Sequence, residues 1–237
     1  MTHPLLSQLT LSLSAKEEAI FDYFYPGRNI NIVAQLKETA RGEGEKIVYL
    51  YGALGGGCSH LLQAACHYAH QHQVTSVYLP LAYLSLLSPE MLLGLETLSL
   101  ICIDDIEAIA GKPAWEEALF HFYNRIHDRN GAIVLASHCA PALSTIALPD
   151  LVSRLSSGVV YALHALNDED KLVILGMQAE RRGIRLTDEA NQYLLRHCPR
   201  HLPSLLAALE ALDHASLAAK RNITIPFIKE VLEITTK

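Results

Sequence analysis

The chain has 237 residues and a mass of 26.1 kDa, enough for one large domain or two small ones around a buried core. Half of the residues are hydrophobic and 19% are charged, which excludes a disordered or mostly solvated chain. Lys plus Arg number 19 against 25 Asp plus Glu; the net charge of -6 argues against a fold that grips DNA through a broad basic face of its own.

Residues 1–15 read as a flexible tail rich in Ser, Thr and Leu, with no basic segment ahead of the leucines that a secretory leader would need. From Asn29 the spacing of Ile30, Val33, Ala34 and Leu36 predicts a helix to Arg41, stopped by Gly42. Apolar runs of strand length follow at 47–51, 74–79, 98–103, 132–136 and 159–163. Helical stretches at 59–71, 88–96, 113–129 and 149–155 separate them. Strands apolar on both faces and divided by helices predict a parallel sheet sandwiched between helix layers. After residue 163 the strand signal stops. Asn167 with Asp170 three residues on starts a helix that should end at Arg181-Arg182-Gly183. Further helices are predicted from Thr187 to 196, over 202–220 and from Thr224 to 233. The expected organisation is a tail at 1–15, an α/β base at 16–165 and a small all-α domain at 166–237.

The longest apolar stretch, 91–103, is broken by Gly94 and Glu96 and is too short to span a bilayer. Cys58, Cys66, Cys102, Cys139 and Cys198 lie far apart with no CxxC pair, a pattern that suits reduced thiols. A soluble cytoplasmic protein without a membrane partner is expected.

Two motifs carry chemistry. The first apolar run leads into Gly52-Ala53-Leu54-Gly55-Gly56-Gly57-Cys58-Ser59-His60 and then a helix. Strand, glycine-rich turn and helix form the context of a phosphate-binding loop, whose backbone N–H groups and helix N-terminus cradle an anion. Gly52, Gly57 and Ser59 meet the P-loop pattern, but Cys58 stands where Lys belongs. Losing that charge-assisted bond removes roughly 1.5–3 kcal/mol of phosphate binding. A thiol at a helix N-terminus has its pKa lowered, and a thiolate there would repel phosphate; the other reading is a small neutral filler. The second motif is the run 98–103 ending in Asp104-Asp105, a Walker B arrangement in which Asp104, with Ser59, would hold Mg²⁺ when nucleotide is bound.

With these motifs the chain resembles the Hda group of DnaA-related AAA+ proteins over nearly all its length. The marks are QLTLSL at 8–13, FDYFYPGRN at 21–29, SHLLQAACH at 59–67, LSLICIDDIEAIAG at 98–111, LPDLVSRL at 148–155, LNDEDKL at 166–172 and TIPFIKEVL at 224–232. The resemblance implies an AAA+ P-loop αβα sandwich with a five-stranded parallel sheet, followed by a helical lid. It implies a negative regulator of DNA replication initiation that acts with the DNA-loaded sliding clamp, the DNA polymerase III beta subunit, to promote hydrolysis of DnaA-bound ATP. It also implies that Gly52, Gly55, Gly57, Cys58, Ser59, His60, Asp104 and Asp105 are the nucleotide-facing positions. Arg154 matches the arginine finger, which acts on a neighbouring subunit's nucleotide. Gln8, Leu9, Leu11 and Leu13 match the clamp-binding peptide, whose alternate leucines suit an extended segment.

Three positions depart from the family pattern. Cys58 replaces the loop cation. Ser137-His138 follow the fourth strand where an acidic or amide sensor residue is usual. Pro203 takes the sensor-2 Arg position, with Arg200 a turn away. The chain's own ATPase activity is therefore not expected, and ADP binding and head-to-tail self-association stay open. A base and lid fill the length, so a DNA-binding domain after the lid, and direct sequence-specific DNA binding, are not expected. The alternatives are a DnaA-related adaptor without ATPase-stimulating activity and a stand-alone P-loop ATPase. His67, His70 and His72 read as a polar helix end rather than a metal site, and Trp115 as a core residue.

Overall fold

A computed structural model describes residues 19–86 and 88–233. It divides into two compact units, the first ending at His164 and the second beginning at Ala165.

The first unit is built on β1 (Ile47–Tyr51), β2 (Ser76–Pro80), β3 (Leu100–Asp104), β4 (Ala132–Ser137) and β5 (Val159–Ala162), ordered β2-β3-β4-β1-β5 with every pair parallel. Alternation along each strand sorts the side chains to two faces. Val48 and Leu50 of β1, Leu100 and Cys102 of β3 and Val134 of β4 join one core with α1 (Ile30–Ala40) and α2 (Cys58–Gln71). Tyr49, Ile101, Ile103, Ile133 and Leu135 join the other with α3 (Pro113–Asp128) and α4 (Pro149–Ser156). Both faces are covered, which is why the strands read as continuous apolar runs. Trp115 and Phe122 lie in this second core, so the aromatic group of α3 is packing.

Gly42 ends α1 as the sequence predicts. Its φ is +81°, and the Glu43 amide reaches back five residues to the Glu38 carbonyl. The helix expected over 88–96 is not formed. Two short 3-10 turns, Pro89–Leu92 and Leu95–Thr97, take its place, separated by Leu93 in extended backbone and Gly94 at φ +87°. Leu92 and Leu95 still reach the core, so the apolar spacing was satisfied by turns rather than by a helix.

The second unit contains α5 (Asp168–Arg181), α6 (Asp188–His197), α7 (Leu202–Ala219) and α8 (Ile225–Val231). Asn167 and Asp170 form a reciprocal capping box, Thr187 accepts from the Ala190 amide and Thr224 from that of Phe227. Leu175, Leu205 and Leu209 pack in one small core, and Leu194, Leu212, Phe227 and Ile228 in another. Among the described residues no helix is long and apolar enough to cross a membrane.

Candidate functional site

β4 lies between β1 and β3, so the carboxyl ends of these three strands are neighbours. In open parallel sheets ligands bind beyond these ends, where the strand order reverses. Three segments converge here: the glycine run after β1, Asp104-Asp105 at the end of β3, and Ser137-His138 at the end of β4. The Gly52 amide donates to the Ser137 carbonyl at 3.3 Å, which joins the first segment to the third.

Gly57 sits at φ +104° as the residue before α2, and a side chain there would lie 2.7 Å from the ring of Phe24. Glycine is required both by conformation and by space. Gly55 is also left-handed, at φ +75°, and Gly52 packs against Leu163. Ser59 is exposed in the first turn of α2. His60 Nε2 donates to the Ile20 carbonyl at 2.9 Å with its ring against Phe24. His60 thus holds the segment before α1 onto the loop. Asn29, buried at the end of the FDYFYPGRN motif, accepts the His164 amide at 2.9 Å and ties that segment to the chain beyond β5.

Cys58 opens α2. Burial pushes its thiol up to about 12, with the charges of Asp104 and Glu107 adding to the effect. The lowering expected at a helix N-terminus is therefore outweighed, which keeps the thiol neutral.

The opposite wall is acidic. Buried Asp104 accepts from the Tyr78 hydroxyl at 2.7 Å and from the Asp105 amide at 3.0 Å. Burial and the Asp104 charge raise the Tyr78 hydroxyl well above its usual range, which keeps it a donor. Asp105 adopts φ +57°; burial, then Asp104 and Glu107, raise its carboxyl, while His138 opposes them. Glu107, in the turn Ile106–Ile109, accepts from Ser137 Oγ at 2.7 Å and lies 3.0 Å from His138 Nε2. Glu107 was not singled out from the sequence. Its signal was the pairing of β3 with β4, which brings the residues after both strands together. Among the described residues no Lys or Arg forms an ion pair with Asp104, Asp105 or Glu107.

A magnesium-bound nucleoside triphosphate in a P-loop needs backbone amides, a carboxylate for the metal and a cation on the terminal phosphates. The glycine loop and Asp104 provide the first two. The third position holds the half-buried thiol of Cys58, which carries no charge to set against terminal phosphates and faces Asp104 and Glu107.

Arg154 lies on the exposed side of α4, which Leu151 and Leu155 anchor in the core. Among the described residues its guanidinium takes no ion pair and no hydrogen bond. The helix is held at both ends. Glu116, buried in α3, accepts the amides of Gly111, Ala147 and Leu148 at 2.8–3.2 Å, and the last two lead into α4. At the other end Ser157 Oγ donates to the Arg154 carbonyl and meets the Tyr123 hydroxyl. Glu116, too, was not read from the sequence.

In the second unit Pro203 occupies the first turn of α7, where its missing amide costs nothing, and Arg200 pairs with Asp168 at 3.2 Å. Gln8, Leu9, Leu11 and Leu13 lie outside the described residues. His67 contacts Gln71 and His72 the Tyr68 carbonyl; among the described residues the three-residue group with metal-ligating geometry is instead Asp105, Glu107 and His138. A cleft of about 830 Å³ lined by Ile47, Gly131 and Val159 opens at the amino ends of the strands, away from the glycine loop.

Residues 168–232 match the family described as Hda, lid domain, and residues 93–162 match the bacterial DnaA ATPase domain. Domain III of the Thermotoga maritima replication initiation protein DnaA superposes with a TM-score of 0.80 at 23% identity, over 93% of this chain and 99% of that one. DnaA from Aquifex aeolicus, solved with AMPPCP, gives 0.70 at 20%, over 83% of this chain and 65% of that one. The Thermotoga maritima RuvB branch migration motor gives 0.67 at 15%, over 93% and 72%. These structures share the fold, an AAA+ base and lid. With both segments matched in sequence, the chain is an Hda/DnaA-related AAA+ protein.

Proposed function

We propose that this protein is a negative regulator of replication initiation that completes the ATPase site of DnaA in trans, with Arg154 as the arginine finger and the DNA-loaded sliding clamp as the platform. The observation that carries the proposal is the contrast between its two sites. Arg154 is exposed and, among the described residues, unpaired on a helix braced at both ends, while the chain's own loop holds a neutral, half-buried thiol. A protein arranged this way offers a cation to another subunit's nucleotide and does not turn over its own. A guanidinium beside the transferred phosphoryl group neutralises the charge that develops in the transition state, and its fixed planar fork suits phosphate oxygens.

The test is DnaA-ATP hydrolysis with the clamp loaded on DNA. Arg154→Ala should remove the stimulation, an effect of about 10³-fold or more on the stimulated step, and Arg154→Lys should not restore it. An unchanged rate for Arg154→Ala would reject the finger. No stimulation by the unaltered protein would leave it an adaptor that uses the fold for contact alone.

A further inference from the structure

We propose that Asp105, Glu107 and His138 form a binding site for a single divalent transition-metal ion that is filled without nucleotide.

The geometry starts from strand pairing. Ile103 and Leu135 are register partners, so the residues just beyond them emerge side by side. The turn Ile106–Ile109 then brings Glu107 back over the end of β4. The result is one imidazole nitrogen and two carboxylates whose ligand atoms all lie within 4.8 Å of one another. An ion such as Zn²⁺, with bonds of about 2.0–2.2 Å, sits among three such atoms after a closure of under about 1 Å. Glu107 is already oriented for this, since its second oxygen accepts from Ser137 Oγ, an outer-shell contact of the kind that fixes a ligating carboxylate.

Charge points the same way. Asp104, Asp105 and Glu107 crowd one end of the sheet with His138 as their one ion-pairing partner among the described residues. The position from which a loop lysine would face them holds Cys58. A bound cation would supply the positive charge that the loop lacks. The imidazole selects the ion: nitrogen is a ligand for Zn²⁺, Co²⁺ or Ni²⁺, whereas Mg²⁺ takes oxygen and water. This site is distinct from the Ser59 and Asp104 pair that would hold Mg²⁺ on a nucleotide.

The experiment uses this chain alone, so it does not depend on DnaA, on the clamp or on the role of Arg154. Chelator-treated protein, free of nucleotide and in millimolar Mg²⁺, is titrated with Zn²⁺ by calorimetry and with Co²⁺ by visible absorption. One equivalent is expected to bind, with no thiolate-to-cobalt charge-transfer band. His138→Ala and Glu107→Gln should each weaken binding by about 10-fold or more, while His70→Ala leaves it unchanged. In the unaltered protein Co²⁺ should shift and broaden the His138 ring resonances, a readout that needs no variant to fold. Absence of stoichiometric binding, displacement by Mg²⁺, a requirement for ADP, a thiolate band, or His138 resonances that do not move would each overturn the site.

Discussion

Cys58 sets two opposing effects against each other. The amino end of α2 favours a thiolate by its exposed amides, worth a fraction of a kcal/mol to about 2 kcal/mol at a helix end. Burial and the facing carboxylates favour the thiol, and they win, pushing it up to about 12. With the pKa that high, the reactive thiolate is scarce at neutral pH and grows only in strong base. A thiol probe at pH 7 is therefore expected to label Cys58 no faster than it labels the denatured chain, with the rate climbing as pH rises. Preferential labelling of Cys58 at neutral pH would contradict this. Replacing Cys58 with Lys returns the missing cation. Calorimetry with ADP should then show affinity rising by about 10- to 100-fold, the equivalent of one charge-assisted hydrogen bond.

Glu116 offers a second test at the same scale. Its carboxylate gathers three backbone amides and joins the entry of α3 to the entry of α4. Glu116→Ala takes the acceptor away from three backbone amides, two of them on exposed residues that water can reach, which should cost about 2 kcal/mol. Urea unfolding followed by the fluorescence of Trp115, the single tryptophan and the neighbour of Glu116, measures it. A loss under about 1 kcal/mol would mean that the amides find other partners.

Helix ends show how far local rules reach. Gly42 and Gly183 both stop helices at positive φ, with the amide of the residue after the glycine bonding back five residues. Lys220 does the same work after α7 at φ +52°, with the Arg221 amide on the Ser216 carbonyl. A side chain in that conformation costs about 1–2 kcal/mol, so Lys220→Gly should stabilise the lid by up to about 1 kcal/mol after glycine's entropic cost. Asn167→Ala should destabilise it by about 1 kcal/mol by opening the capping box. Amide exchange in α5 and α7 reads both changes, which should have opposite signs. The segment 88–96 marks the limit of such rules. Its apolar spacing suits a helix, yet Gly94 at φ +87° splits it into turns that still deliver Leu92 and Leu95 to the core.

At the scale of the molecule, base and lid are separate compact units that meet in the chain at 164–165, and the proposed peptide at 8–13 lies outside the described residues. Removing residues 1–13 should abolish co-elution with the sliding clamp and leave the far-UV spectrum of the remainder unchanged. Unaltered co-elution would reject the peptide as the clamp contact.

Strand order, the helices other than the one expected over 88–96, the stops at Gly42 and Gly183, the caps at Asn167, Thr187 and Thr224, and the glycine loop with Cys58 in place of a cation were legible in the sequence. Each depends on residues within a turn or two of one another, or on the alternation that burial on two faces imposes. The tertiary structure alone decided which charges meet. Glu107 reaches His138, Glu116 reaches Leu148, and half-buried Cys58 faces Asp104, because parallel pairing of β3, β4 and β1 sets distant segments side by side. Local sequence fixes what a segment can form, but the energy of a charge or a thiol is set by what surrounds it, and those surroundings exist only once the sheet has closed.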